Sequence, residues 1–582
     1  MIILGIYGSF GWEANESYNK FSGLETDDPW VHDSGATLFI NGKHICSISE
    51  ERLTRVKREG NFPTNSINYC LSEGNISAED VEYVYIPTMA NFLFYKKLYS
   101  NAVTDIAEKN FPNAKIEFLS HHVSHAFSSI FTSNFNEGCL ITTDGGGSIV
   151  SFSDSQPPPD DVIDLDYYAE QYSPFIETST IGYFNKEKKI FRLFPNIKGA
   201  NNFGAFYSGT SYAIYCQKTK SHLEEGNKNH RDSFVGKIMG LSAYGKNFKF
   251  SERHKLYTTH KDVHYNGMPF VKLKINSGGL EKNMHPNAQA YVVQKNFELA
   301  MMEYIESLHK DNYLEKNICL SGGVYLNVLT NSLIKESGLF DNIHIPPYTD
   351  DSGLHFGAAC YGLFKNNQSI TVPENIALLG KEYTNDEIEF ELKQNKLNYE
   401  KYDNFEELCE LTAKKLNDGS IVAWFQGRSE HGPRALGSRS ILMHPGPRKN
   451  KDIMNERVKH REYWRPFAGI ILEDHLTDYF NEDYNSPYML YSLTVKDEMK
   501  QEIAAITHVD GTCRIQTVNK KLNEKVTTLL NKFKKESGVP AVLNTSFNDN
   551  GEPIVESPKD AVSSFLKMDI DYLVIGNFIV SK

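Results

Sequence analysis

The sequence predicts an α/β protein of two domains, and three observations carry that prediction. Apolar runs of strand length (Ile2–Tyr7, 83–87, 139–143, 318–320) alternate with longer helical stretches over 124–131 and 288–308. Two of these runs break directly into glycine loops, Asp144-Gly145-Gly146-Gly147-Ser148 and Ser321-Gly322-Gly323. A polar, unpatterned stretch over 366–376 then separates a first α/β block from a second. The length of 582 residues accommodates two large domains or about three ordinary ones. The expected division is 1–365, a linker over 366–380, and 381–582.

The elements follow in order. Met1-Ile2-Ile3-Leu4-Gly5 lacks the basic n-region and cleavage site of a signal peptide, so it reads as the start of a buried strand. Ala36–Ile40 and 44–49 read as a hairpin through Asn41-Gly42, the residue pair that a type I′ turn prefers. In the second block, a helix is expected near 405–417 and a strand over 421–425. A helix near 523–535 and strands over 541–544 and 572–575 complete it. Residues 11–30 form a polar, aromatic-dotted loop, and 153–165 a polar surface excursion. No internal repeat is legible.

Composition removes several function classes. The chain carries 61 Lys+Arg against 74 Asp+Glu, a net charge of −13, which disfavours a general nucleic-acid surface. No run reaches the roughly 18 apolar residues of a membrane span. Eight cysteines without CxxC spacing read as small buried hydrophobes of a reducing cytoplasm rather than as disulfides or a zinc site.

Three constellations can carry chemistry. On a helix, His121 and His125 share one face and can grip one metal, while His122 points elsewhere. Asp144 ends a strand beyond that helix, and Asp350-Asp351 opens a loop before Gly357-Ala-Ala. Two imidazoles with one or two carboxylates suit a 2-His-carboxylate site for Fe, Zn, Cu or Ni, the alternative being a surface histidine cluster. The two glycine loops match neither a Walker A loop nor GxGxxG, and instead suit a two-lobed actin-like fold with one phosphate loop per lobe. Last, residues 428–465 hold ten Lys+Arg and four Asp+Glu, a local +6 that leaves −19 for the remainder. Within that window Lys449 and Lys451 read as a solvated helix face, but Gly432-Pro-Arg434-Ala-Leu-Gly437 does not. There the turn aims a guanidinium fork at a phosphate.

Taken together these motifs resemble the NodU/CmcH-type O-carbamoyltransferases of nodulation-factor and antibiotic biosynthesis. The resemblance runs nearly end to end. It includes His32-Asp33-Ser34-Gly35, Glu50-Glu51-Arg52-Leu53-Thr54-Arg55, His121–His125, the glycine loop after Asp144 and Gly236–Gly245. It continues through Leu320–Val324, Gly432–Gly437 with Arg439, Val458–Glu462, His508–Gly511 with Arg514, and Asn544–Asn548. It implies an N-terminal actin-like, TsaD-like domain with an iron-type metal, Fe(2+) or another divalent ion in vitro, on His121, His125 and Asp351 with Asp144 as a fourth ligand. It further implies a C-terminal YrdC-like domain that makes carbamoyl adenylate and pyrophosphate from carbamoyl phosphate and ATP, with Mg2+ accompanying ATP. The anion and nucleotide binders so implied are Arg434, Lys459, Arg465, Arg514, Asn544 and Ser546, with Arg434 and Lys459 catalytic. The adenylate would then be held in the N-terminal domain by Gly145, Lys237, Gly322, Gly323 and Asn327. There His32 matches the general base, Lys57 a neighbouring catalytic lysine, and Asp33 and Asp144 face the acceptor. From the residues alone, His32-Asp33 reads first as a merely structural His–Asp pair.

The implied partners are ATP, carbamoyl phosphate and a hydroxylated small-molecule acceptor, with neither nucleic acid nor membrane. A homodimer is the oligomeric alternative kept open. Acceptors across the family include sugars, aminoglycosides, cephems, ansamycins and guanidinium toxins, and the long loop 11–30 beside the implied acceptor site is expected to shape that choice. An actin-fold small-molecule kinase is the second reading, but it leaves Gly432–Gly437 and Asn544–Asn548 unexplained. A tRNA threonylcarbamoylation-type protein is the third, disfavoured by the acidic charge. Hydrogenase-maturing relatives are set aside by the absence of CxxC.

Overall fold

The computed structural model describes residues 1–8, 31–88, 108–145, 149–150, 175–176, 179–195, 203–220, 234–265, 268–275, 280, 283–310 and 314–582. The loop 11–30 and the excursion 153–165 lie outside them. The chain divides into two compact units. One comprises Met1–Glu50 and Arg58–Val372, and the other Glu51–Lys57 and Pro373–Lys582.

The first unit holds two five-stranded sheets. In the first, β1 (Ile2–Tyr7) pairs antiparallel with β2 (Gly35–Ile40), which pairs antiparallel with β3 (Lys43–Ser49). The β2–β3 turn is Asn41-Gly42, with φ of 50° and 76°, the left-handed pair that the hairpin requires. On the other side β1 runs parallel to β4 (Tyr83–Thr88), and β4 to β5 (Lys115–Ser120). The second sheet repeats this order. β6 (Glu137–Thr143) pairs antiparallel with β7 (Ser179–Asn185), and β7 with β8 (Ile190–Pro195). Toward the other edge, β9 (Asn317–Ser321) runs parallel to β6, and β10 (Asn342–His344) to β9. Both sheets therefore read 3-2-1-4-5 in their own strand sequence. This duplication is the actin-like architecture. It is invisible in the residues because only topology repeats, not side chains.

Two buried helices stand with these sheets. α1 (His121–Thr132) begins at the residue after β5 ends, so His121 and His125 occupy its first turns. α2 (Leu354–Lys365) packs against both α1 and β1. The approach is close enough to need glycine: a Cβ on Gly357 would fall 1.8 Å from the Ser124 carbonyl oxygen, and one on Gly5 2.0 Å from that of His355. Gly357→Ala is expected to destabilise the first unit by about 3 kcal/mol, because the intruding methyl forces two buried helices apart. Chemical denaturation read on that unit's transition measures it.

The second unit carries one nine-stranded sheet. Its strands are β11 (Tyr399–Lys401), β12 (Val422–Phe425), β13 (Arg439–Met443), β14 (Ala468–Leu472), β15 (Ser492–Thr494), β16 (Thr512–Val518), β17 (Ala541–Ser546), β18 (Tyr572–Ile575) and β19 (Phe578–Ser581). They lie in the order β11-β19-β18-β12-β13-β17-β14-β16-β15. Helices α3 (Phe405–Asn417) and α4 (Lys520–Ser537) pack on one another, burying Leu408, Leu416, Leu529 and Phe533. Their capping is local: Asn404 accepts from the Glu406 amide, and Asn519 from those of Lys521 and Leu522.

Several strands escape the sequence reading for physical reasons. β5 (Lys-Ile-Glu-Phe-Leu-Ser) has one fully buried residue, so it lacks an apolar run. β13 begins at Arg439, a cation that sequence logic keeps out of a core. All eight cysteines are free and seven are buried, as hydrophobes would be. Among the described residues no helix is long and apolar enough to cross a membrane.

Candidate functional site

In the first unit, His121, His125, Asp144 and Asp351 bring their donor atoms within 4.8 Å of one another. They come from three features: the two histidines from the start of α1, Asp144 from the residue after β6, Asp351 from the turn before α2. Both imidazoles are fully buried, which excludes the surface-cluster alternative. Nε2 of His125 lies 3.0 Å from Asp144 Oδ2, 3.4 Å from Asp351 Oδ1 and 3.2 Å from Nε2 of His121. Nε2 of His121 lies 3.5 Å from Asp144 Oδ2 and 3.3 Å from Asp351 Oδ1.

Separations of this size are the edges of a shell around one ion with metal–ligand bonds of about 2.1 Å. The donor set of two imidazoles and two carboxylates fits a first-row divalent metal. The electrostatics agree. Burial opposes charge on His121, yet Asp351 and Asp144 outweigh it and push its pKa up to about 10. Against the opposing effects of burial and Asp351, the two histidines hold Asp144 down to about 2. The cluster thus balances anions with cationic charge that a metal ion can supply instead.

His122 is likewise buried but turns to Thr180, with Nδ1 2.9 Å from its Oγ1. His122→Asn is therefore expected to keep metal affinity within about tenfold of wild type. Competition titration with a chromogenic chelator reads this directly.

Two neighbours were not legible from sequence. Tyr7, at the end of β1, donates its hydroxyl to Asp351 Oδ2 at 3.2 Å. Arg58 returns the chain to the first unit with φ 57°, and its charge acts on both His32 and Asp33. His32 Nδ1 lies 2.8 Å from Asp33 Oδ2 and 3.8 Å from Asp351 Oδ2. Asp33 itself has φ 60°, a left-handed position that Asp tolerates. Burial and Arg58 oppose protonation of His32, but Asp33 and Asp351 prevail and raise its pKa.

Asp144-Gly145 follows β6 and Gly322-Gly323 follows β9 as expected, while residues 146–148 of the first glycine loop lie outside the described residues. Gly322 has φ 100°, and a Cβ there would fall 2.1 Å from the Thr143 carbonyl, so no other residue fits. Around Gly145 a Cβ would meet nothing, and at Gly323 it would meet Asp144 Oδ1 at 3.2 Å. Asn327 is buried and engaged: its Oδ1 accepts from the Thr330 amide at 3.2 Å, and its amide pairs twice with Gln294 at 3.1 Å. Lys237 lies over the Tyr215 ring at 4.5 Å and over Phe234 at 5.2 Å.

The second unit gathers cations. Lys459 ends a π-helical turn and is buried, with Nζ donating to the Asn548 carbonyl at 2.7 Å, its Oδ1 at 3.2 Å and the Ser546 carbonyl at 3.0 Å. Burial, then Arg461, Lys57 and Arg465, push its pKa well down. Arg514 is lowered by burial, then by Arg434 and Arg465; Arg461 by burial, then by Arg465 and Arg514. Cations that depress one another in this way sit in an electrostatic setting that a bound anion would relieve.

Arg461 is an addition to the residues expected. It stacks over Phe467 at 4.2 Å and donates through Nε to Asn455 Oδ1 at 3.0 Å, and its sequence signals were its place in the basic window and in the Val458–Glu462 motif. Arg465 lies 3.7 Å from Glu462. Lys57, expected beside His32, belongs to the second unit, where its charge acts on Lys459.

The Arg434 turn is held from below. Gly432 and Gly437 take φ of 101° and 92°. The Glu430 carboxylate accepts from the amides of Leu436, Ser438 and Arg439 at 2.7–3.1 Å. Asn544 Nδ2 donates to the Ala435 carbonyl at 2.9 Å, Gln516 Nε2 to that of Leu436 at 3.1 Å, and Trp424 Nε1 to that of Gly437 at 3.0 Å.

The +6 window is not all site. Arg439 is fully buried over Phe425 at 3.6 Å and donates to the carbonyls of Gln426 and Gly427, so it braces the core. Arg457 pairs with Asp569 and Asp571. Lys451, expected on a solvated face, is buried instead, and burial pulls its pKa down to about 8.

The fold and site define an actin-like unit with a two-histidine, two-carboxylate group able to hold a metal ion, joined to a second unit that concentrates cations. Comparison with known proteins gives the family. The model for carbamoyltransferase N-termini matches residues 21–96 and 85–360, and that for carbamoyltransferase C-termini matches 413–582. An uncharacterised protein of Synechocystis is 31% identical over 95% of this chain and 95% of its own. The nodulation protein NolNO of Sinorhizobium fredii is 30% identical over 100% of this chain and 83% of its own. The crystal structure of full-length HypF in its phosphate- and nucleotide-bound form aligns at 11% identity and a TM-score of 0.32, covering 59% of this chain and 46% of that one. The actin-like fold rests on the chain's own sheet order. The chain belongs to the carbamoyltransferase family, and its chemistry is carbamoyl transfer.

Proposed function

We propose that the chain is an ATP-dependent O-carbamoyltransferase that works in two half-reactions. In the first, carbamoyl phosphate loses its phosphate to water, a carbamate oxygen attacks the α-phosphorus of ATP, and pyrophosphate leaves. In the second, a hydroxyl of a small-molecule acceptor attacks the carbamoyl carbon and AMP leaves. The observation that carries this reading is the division of chemistry between the units, with a cluster of cations that depress one another's charge in one and an oriented histidine beside the metal ligands in the other.

Carbamoyl phosphate, ATP and pyrophosphate are polyanions, and fixed guanidinium and ammonium groups replace the water they lose on binding. Arg434, Lys459, Arg461, Arg465 and Arg514 fill that role, with the Mg2+ that accompanies ATP. Asn544 and Ser546 act on the same site, the first through the Arg434 turn and the second through Lys459. For the transfer, Asp33 accepts Nδ1–H of His32, which fixes the tautomer and leaves Nε2 to take the acceptor proton. His121, His125, Asp144 and Asp351 would hold a divalent metal, Fe(2+) being the family's choice, and it would supply Lewis-acid polarisation of a bound oxygen. Gly145, Gly322, Gly323 and Lys237 are the proposed adenylate contacts of this unit, with Asn327 shaping the helix start beside them.

The test is incubation with ATP, carbamoyl phosphate and divalent metal but no acceptor, reading pyrophosphate. Release above the enzyme-free background is expected, and none at all would overturn the adenylate route. Mass spectrometry of a hydroxylated acceptor panel then identifies the second substrate.

A further inference from the structure

The segment Glu51–Lys57 is close in sequence to His32 and Glu50 yet belongs to the second unit. Its departure is anchored on both sides. The Glu50 amide donates to the Ser34 carbonyl at 2.7 Å, and the Ser34 amide to the Glu59 carbonyl at 2.8 Å. The Glu50 carboxylate stays in the first unit, capping the helix Thr64–Gly74 through the amides of Asn65 and Ser66. The Glu50–Arg55 motif is therefore divided: its leading acid serves one unit and its arginines the other.

Both arginines end on backbone carbonyls that shape the cation cluster. Arg52 is buried, and its Nη2 donates to the carbonyls of Glu430 at 3.2 Å and Gly432 at 3.1 Å, at the entry to the Arg434 turn. Arg55 donates through Nη1 to Ile554 and through Nη2 to Pro553, both at 2.7 Å, with Glu552 and Asp560 about its guanidinium. Those carbonyls lead back to Lys459. The Val555 amide donates to the Phe547 carbonyl at 2.9 Å, and Asn548 Nδ2 to the Glu552 carbonyl at 2.7 Å. Asn548 is the residue whose carbonyl receives Lys459 Nζ. A guanidinium presents several donors in one plane, so it can pin two carbonyls at once where an ammonium cannot keep both aligned.

We propose that Glu51–Lys57 is an integral wall of the second unit's anion site, in which Arg52 and Arg55 are positioning residues for Arg434 and Lys459. The inference rests on reading that site as the carbamoyl phosphate and ATP site. It predicts that the first half-reaction depends on seven residues lying more than 300 positions upstream of its cations.

Arg52→Met and Arg55→Met, made in the full chain, are titrated with inorganic pyrophosphate by calorimetry. Each is expected to raise Kd roughly ten- to a hundredfold, as loss of a charged donor to two carbonyls should. Metal affinity at His121–Asp351 should stay within about twofold of wild type, since those ligands belong to the first unit and both arginines to the second. In the pyrophosphate-release assay, KM for carbamoyl phosphate should rise more than kcat falls, and Arg52→Lys should recover only part of the loss. If a methionine variant does not fold, Arg52→Lys and Arg55→Lys decide the matter by the same titration. Unchanged pyrophosphate affinity in both folded variants overturns the proposal, as does a fall matched by an equal fall in metal affinity. A wild-type chain that binds pyrophosphate but releases none from ATP sinks the adenylate reading alone, with this inference still settled by the titration. A wild-type chain that binds none sinks both.

Discussion

His125→Ala is expected to abolish stoichiometric metal binding and to lower carbamoyl transfer to a hydroxyl by about 10²–10³-fold, while pyrophosphate release from ATP and carbamoyl phosphate continues. The reason lies in how tightly this one nitrogen is shared. Nε2 of His125 is within 3.4 Å of His121, Asp144 and Asp351 together, so its loss opens a whole face of the donor set. It also leaves the buried Asp351 and the part-buried Asp144 with one imidazole between them, and a carboxylate short of a partner in such surroundings takes up a proton rather than metal. Metal content per chain, the transfer rate and the pyrophosphate rate are read on the same sample. Loss of both half-reactions together would show that the division of labour is wrong. His122→Asn is the matched control, three residues earlier on the same helix.

Arg514→Met is expected to act in the opposite unit and with an unusual sign. Pyrophosphate release should fall by about 10²–10³-fold, the loss typical of one charge-stabilising donor. The ligand-free chain should nevertheless melt at a higher temperature than wild type. Burial and the nearby Arg434 and Arg465 all oppose the charge on Arg514, so replacing it with an apolar chain of similar length relieves repulsion and desolvation together. Adding pyrophosphate should reverse the ranking. An anion that binds the folded state at a hundred times its Kd stabilises it by about 2.7 kcal/mol, a gain the variant largely forgoes. Differential scanning calorimetry with and without pyrophosphate gives all four transitions, and a lower ligand-free Tm in the variant would refute the picture of cations that depress one another's charge. Lys459→Met makes the contrast: its ammonium feeds the carbonyls of Ser546 and Asn548, so it should lose activity and stability alike.

Much of the site was legible because it is written in short, local patterns. Histidines four apart needed only helical periodicity to share a face, and α1 delivers them. Gly432 and Gly437 announced a turn, and their positive φ angles are why no other residue type would do. The free cysteines and the type I′ hairpin are local for the same reason.

What was not legible depends on contacts between distant positions. The net charge counts Arg439, Arg457 and Lys451 with Arg434 and Arg514, but only folding separates a cation braced over Phe425 or paired with Asp569 from one whose charge is opposed by neighbouring cations. Tyr7 is an ordinary strand tyrosine until β1 brings its hydroxyl to Asp351, 344 residues away. Glu430 reads as a stray acid in a basic window until three amides converge on it.

By itself, then, the sequence determined the chemistry available: which side chains could bind metal or phosphate, and which turns would present them. Residue type and short spacing set those properties, and both survive in one dimension. Tertiary structure decided which of those groups meet. It repeated one sheet topology twice without repeating a residue, and it carried Arg52 and Arg55 into a unit built from the other end of the chain. The physical reason is that burial and electrostatic compensation are properties of neighbours in space, and 582 residues leave most of those neighbours far apart along the chain.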